Sequence, residues 1–204
     1  MKYKFLFTAL ITAAIFSGTK AQSFQKSQMD INFGVGIGNT FIHSGAYRTF
    51  PAISTSFDYG VTDAISVGAY LGYAGATYRY SGTDWCPSGN GNGNAYGNYY
   101  NYTDTYKWKF SIVGLRGAYH FAKFIKNEKT DVYAGVMLGA NFAKSTYTTD
   151  DPCFDHVPYA AQKYGGFVAS GFLGARYRFT DMVGIFGELG YGISYLTLGV
   201  NFRF

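Results

Sequence analysis

Apolar side chains take every second position through most of this chain. In the last ten residues Leu196, Leu198, Val200, Phe202 and Phe204 alternate with Tyr195, Thr197, Gly199, Asn201 and Arg203. A period of two marks a strand with one apolar face and one wetter face. Upstream, Met29–Phe41 sets Met29, Ile31, Phe33, Val35 and Ile37 against Asp30, Asn32, Gly34, Gly36 and Gly38. Phe50–Tyr59 sets Ile53, Phe57 and Tyr59 against Ser54, Ser56 and Asp58, and Ile65, Val67, Ala69, Leu71 and Tyr73 carry a third strand. Four more are read over Tyr106–Phe121, Asp131–Phe142, Gly165–Phe179 and Val183–Tyr191, which makes the terminal segment the eighth. The glycines of G-V-G-I-G share one strand face and no helix follows, so this run is not a phosphate cradle.

The connections alternate in length. Gly60–Asp63, Ala122–Thr130 and Thr180–Met182 are short, whereas Ser81–Thr105 and Lys144–Lys163 are long. Short turns at one end and longer loops at the other characterise membrane barrels, and an even strand number returns both termini to one end. Strands of about ten residues suit a tilted bilayer crossing, and closure leaves no backbone edge in lipid. The predicted fold is therefore all-β: an eight-stranded antiparallel up-and-down transmembrane β-barrel. Two aromatic belts are expected at the interfaces. Tyr59, Tyr119, Phe121, Tyr177, Phe179, Phe202 and Phe204 fall on the short-turn side, and Tyr73, Tyr78, Tyr80, Tyr106, Trp108 and Tyr147 on the long-loop side.

Residues 1–21 read as a signal peptide: Lys2 and Lys4, an apolar run from Phe5 to Phe16, then small residues up to Ala21. The barrel domain is then 22–204. Losing Lys2, Lys4 and Lys20 takes the net charge from +5 to +2, so the basic balance is partly a targeting feature. It is no argument for a nucleic-acid partner, which would need a clustered basic face. With 27 glycines, 20% aromatics and only 14% charged residues, the composition suits a lipid-facing wall better than soluble helices.

The units Y-G-V-T-D-A-I-S-V-G (Tyr59–Gly68) and Y-R-F-T-D-M-V-G-I-F-G-E-L-G-Y-G (Tyr177–Gly192), with the terminal L-T-L-G-V-N-F-R-F, carry a resemblance. Over its whole mature length the chain resembles the small outer-membrane β-barrel family that includes outer-membrane protein X and the transmembrane part of outer-membrane protein A, in a Bacteroidota-like style. The resemblance implies export through the periplasm and residence in the bacterial outer membrane among its lipids. It also implies insertion by the barrel-assembly machinery, which would read Phe204 as its signal. It implies no shared activity. No peptidoglycan-binding domain follows Phe204, so wall anchoring by that route is not expected.

Candidate chemistry is sparse. Arg116, Arg176, Arg178, Arg203, Glu188, Asp58, Tyr70 and Tyr133 occupy the inward set of positions. Glu188 and Arg116 stand at similar depth, so Glu188 is expected to pair with Arg116 or Arg176, because buried charges must be paired. Cys86 and Cys153 sit in the two long loops of an exported chain and are expected to form a disulfide. The run G-N-G-N-A-Y-G-N-Y-Y-N-Y within Ser81–Tyr106 reads as a mobile loop with the composition of a recognition surface. Its ligand would be a glycan, a host protein or a phage. Asp150, Asp151 and Asp155 lack the pattern of a Ca²⁺ loop, and a Cys–His156 metal site lacks ligands at short spacing. His43, His120 and His156 are scattered, and no Ser–His–Asp arrangement stands out. The expectation is a monomeric, non-enzymatic protein without catalytic residues or cofactor, acting in envelope structure or surface interaction. A narrow pore or small-solute transporter, and an outer-loop lipid-modifying enzyme, are the alternatives.

Overall fold

A computed structural model describes residues 24–38, 40, 47–89, 95–125, 127–151 and 163–204. The leader 1–21 lies outside the described residues, as do Cys153, Asp155 and His156. Eight strands, each hydrogen-bonded to the next, close into one antiparallel barrel: β1 (Met29–Ile37), β2 (Tyr47–Gly60), β3 (Ile65–Gly89), β4 (Ala95–His120), β5 (Thr130–Thr149), β6 (Lys163–Arg178), β7 (Val183–Gly190) and β8 (Leu196–Arg203). The seam joins β1 to β8, with Asn32 opposite Asn201. It ends on Phe204, whose backbone exchanges hydrogen bonds with Met29 at 3.1 and 2.8 Å.

The two T-D units fold alike. Val61 N–H donates to Ile65 O at 2.9 Å and Phe179 N–H to Val183 O at 3.0 Å. In each turn the threonine hydroxyl, of Thr62 or Thr180, accepts a backbone N–H three residues on at 3.0 Å. The Ala122–Thr130 connection holds a short 3₁₀ turn, Ala122–Phe124.

The alternation sorts side chains cleanly. Phe33, Val35, Phe57, Val67, Leu71, Val113, Leu115, Val136, Leu138, Phe167, Leu173, Leu189, Leu198 and Val200 all face outward and are exposed to the surroundings, while Asp30, Asn32, Asp58, Ser66, Arg116, Asp131, Arg176, Arg178 and Asn201 are buried in the lumen. A soluble barrel would show the reverse. Along β5 the outward residues from Val132 to Phe142 are all apolar, a band about 25 Å tall for a tilted strand. The molecule is a transmembrane β-barrel of outer-membrane type.

Three expectations need correction. Ser81–Thr105 is not an open loop: β3 and β4 stay in register from Tyr78↔Tyr106 up to Gly89↔Ala95. The Asn/Gly/Tyr composition argues for a loop, but each strand satisfies the other's backbone groups, so no core is needed to hold the hairpin. Similarly, β5 runs to Thr149 and β6 starts at Lys163, shortening the second long loop at both ends. The aromatic belt on the long-loop side is also reassigned. Tyr106, Trp108 and Tyr147 lie at positions of inward parity, and Trp108 packs against the buried cluster. The outward aromatics there include Tyr73, Phe142 and Phe167. Phe50 joins them because a bulge between Phe50 and Ile53 reverses the facing of β2, bringing Phe50 edge-on to Tyr73 at 5.7 Å.

Candidate functional site

The lower lumen is a charged network. Arg176, fully buried on β6, reaches Asp30 at 3.4 Å, Asp131 at 3.5 Å and Asp58, and lies over the Tyr133 ring at 4.4 Å. Arg116 makes a two-pronged contact with Glu188, at 2.7 and 3.2 Å, and approaches Asp58 at 3.0 Å with its Nε. Glu188 therefore meets Arg116, not Arg176, and also accepts the Tyr133 hydroxyl at 2.7 Å. Arg203 approaches Asp30 at 3.6 Å, and Arg178 donates to Glu128 O at 3.0 Å. Tyr133 has room because Gly174 stands opposite it on β6: a Cβ there would lie 2.4 Å from the ring.

Above this network the lumen turns apolar. Ala52, Tyr70, Ala74, Ala76, Phe110, Ile112, Met137 and Ile193 form one buried cluster. Ile193, in the short β7–β8 connection, dips into the barrel against Gly72, and its N–H donates to the Tyr70 hydroxyl at 3.3 Å. Between the two layers a void of about 20 Å³ touches Arg116, Glu188, Phe172 and Thr197, room for a single water. Both halves of the lumen are thus filled. Glu188→Ala is expected to leave planar bilayers electrically silent, since the apolar layer above is untouched. Steady single-channel steps from that variant would revive the pore reading.

The sequence reading missed a trio at the short-turn end. His120 Nδ1 lies 3.0 Å from both Asp131 carboxylate oxygens, and its Nε2 lies 3.0 Å from Ser66 Oγ. With Asp131 holding the proton on Nδ1, Nε2 accepts from the serine hydroxyl. This is the hydrogen-bond order of a nucleophile triad, but all three residues are buried and Phe24 stacks flat on His120 at 3.6 Å. The segment around Phe24 is tied down by Ser27 N–H to Gly60 O at 2.7 Å and Lys26 N–H to Asp63 at 3.0 Å. Among the described residues, these contacts cover the trio at the short-turn end. All three residues stand on lumen positions within a few residues of a short turn, but they come from three strands and meet only through the register of β3, β4 and β5.

The outer end carries aromatic side chains on the inner face of the tall strands. Trp108 stacks on Phe110 and on Tyr164, at 6.0 and 5.8 Å. Tyr106 and Tyr147 meet at 4.7 Å, and Tyr147 donates its hydroxyl to Asp104 at 2.6 Å. That bond, together with partial desolvation, pushes the Tyr147 phenol up to about 12. A raised folded-state value means the proton is held below the ordinary value near 10 and given up only as pH rises through about 12. The difference in alkaline absorbance titration between wild type and Tyr147→Phe should centre near 12. A midpoint at 10 would contradict the bond. Farther out, Tyr80, Trp85, Tyr99 and Tyr100 are exposed on the hairpin. Cys86 stands on β3 opposite Asn98, and no described cysteine is free. Among the described residues no group of three His, Cys, Asp or Glu is placed to hold a metal.

No protein-family model matches the chain, and no curated protein matches it. Among solved structures it is similar to Ail, the attachment invasion locus protein of Yersinia pestis, crystallised in complex with the heparin analogue sucrose octasulfate: 11% identity, TM-score 0.48, 88% of this chain and 100% of that one. It is also similar to the N-terminal β-barrel domain of Pseudomonas aeruginosa OprF, at 15% identity and TM-score 0.45 over 88% and 98% of the chains. Outer membrane protein OprG from Pseudomonas aeruginosa matches at 13% and 0.47 over 90% and 98%.

Proposed function

We propose that this chain is a monomeric bacterial outer-membrane protein that loses residues 1–21 on export and acts at the cell surface as a glycan-binding envelope protein. The paired β3–β4 hairpin carries the proposal. Beyond the apolar band it extends roughly 50 Å farther along the strand direction, from Tyr73 to Gly89. Membrane crossing does not need that length. The inner face of its β4 strand and of the adjoining β5 offers flat aromatic rings beside a carboxylate, at Trp108, Tyr106 and Asp104 on β4 and Tyr147 on β5. Stacking with a hydrogen-bonding rim is chemistry that suits a sugar ring. The filled lumen supports this reading over a pore, and the covered Ser66–His120–Asp131 trio supports it over an enzyme.

In this reading Phe204 is the signal for the barrel-assembly machinery, being the last residue paired at the seam. Cys86–Cys153 ties the hairpin to the β5–β6 connection. The tie is expected to show as slower migration of the denatured protein once reduced, and alkylation of two thiols without reductant would refute it.

The function is tested with cells displaying the wild type or a hairpin shortened by replacing Ala76–Trp108, which carries Asp104, Tyr106 and Trp108, with a two-residue turn, both carrying Cys153→Ser. Binding of a labelled glycan panel should fall to background in the shortened form. Equal glycan binding by the two forms would leave the hairpin as a hydrophilic cap. Loss of host-protein or phage attachment alone would move the ligand to a different class.

A further inference from the structure

The outward wall changes character at the upper edge of the apolar band. On β4 the outward positions pass from Leu115 and Val113 through Ser111 to Lys109 and Lys107. On β5 they pass from Leu138 and Phe142 to Lys144, and on β6 from Phe167 to Lys163. The ladder sets three of these lysines side by side: Lys109 is paired with Lys144, and Lys144 with Lys163. All three are exposed. Directly opposed residues on one face have Cβ atoms roughly 5 Å apart, and like charges so placed weaken the pairing.

No carboxylate is among the ladder partners of these lysines. The fourth neighbour in the row is Gly75, opposite Lys109, and Lys107 faces Thr77 and Thr146. The nearby acids Asp84 and Asp104 sit at even positions of β3 and β4, on the other face of the sheet. Among the described residues none of the recorded ion pairs involves these lysines. A row of ammonium groups with water above and Phe142, Phe167 and Val113 below fits an anion that carries acyl chains. The phosphate takes the charge, and the chains lie on the apolar wall.

We infer that Lys109, Lys144 and Lys163 bind the phosphate of an acylated outer-leaflet lipid. The inference rests on the outer-membrane placement proposed above, with the long hairpins outward. A lysine near an anionic lipid surface contributes through its point charge, so the site should respond to charge and not to the particular side chain.

The test uses the full mature protein, folded in neutral detergent and titrated with diphosphorylated lipid A, dephosphorylated lipid A or inorganic phosphate, with bound lipid counted by native mass spectrometry. The triple variant Lys109→Gln/Lys144→Gln/Lys163→Gln should bind diphosphorylated lipid A at least about ten-fold more weakly than wild type, and the triple Arg variant should recover wild-type binding. Dephosphorylated lipid A should not distinguish the three proteins. Equal affinity of wild type and the Gln variant for the phosphorylated lipid overturns the site, and so does inorganic phosphate binding as tightly as the lipid. Insertion into neutral phosphatidylcholine vesicles is scored in parallel. A wild type that fails to insert sinks the membrane placement, whereas insertion with equal lipid affinities sinks the lysine row alone.

Discussion

Arg176→Met is expected to lower the unfolding free energy by about 3–5 kcal/mol, the cost of orphaning buried charges. Arg176 contacts Asp30, Asp58 and Asp131, and all four residues are buried. Without the guanidinium three carboxylates share the lower lumen, and the ring of Tyr133 loses the cation above it. Asp30 keeps Arg203 and Asn201, Asp58 keeps Arg116, and Asp131 keeps His120, so the fold survives but weakens. Adding Asp30→Asn removes one of the stranded charges, and the double variant should recover at least about 1 kcal/mol, the coupling expected of residues in contact. Urea titration of tryptophan fluorescence in phosphatidylcholine vesicles gives both numbers. A loss below about 1 kcal/mol would mean that water satisfies these carboxylates and that the network contributes little.

Leu115→Arg, on β4, probes the opposite face of the barrel wall. Leu115 is 74% exposed, flanked by Ala69 and Leu138 across the ladder. It sits midway along the outward apolar run of β4. At the bilayer midplane a lipid-facing arginine costs about 2–4 kcal/mol, whereas an exposed substitution on a soluble protein falls within about 0.5 kcal/mol. The same vesicle assay separates the two. A change under about 0.5 kcal/mol would mean that Leu115 does not face lipid. The pair of variants also separates the two halves of the design: Arg176 holds the barrel from within, while Leu115 only has to be tolerated by what surrounds it.

Strand count, closure and facing were legible because lipid and lumen enforce a strict period of two, with polar residues on one side only. Asp30, Asp58, Arg116 and Glu188 could be placed inside from parity alone. Three features were not legible. The ladder from Tyr78 to Gly89 is stabilised by its partner strand, and its own composition argues against it. The reversal at Phe50 depends on a bulge, which shifts parity without any change in hydrophobicity. Ser66, His120 and Asp131 come from three strands and meet only once register is known, so no local spacing announces them. Ile193 filling the upper lumen is a similar case, since a five-residue connection between β7 and β8 carries no sign of which way its middle residue turns.

The rim of the barrel is uneven. β3, β4 and β5 climb well past the apolar band, while β1, β7 and β8 end near it. The molecule therefore has a front and a back. Its tall strands stand like a screen, lysines and lipid behind them, with the aromatic rings of Trp108, Tyr106, Tyr147 and Tyr164 facing across the low side. Among the described residues, the lateral way to those rings lies over β7, β8 and β1. On a crowded cell surface, the rotational orientation of each barrel relative to its neighbours then bears on whether that low side is free or blocked.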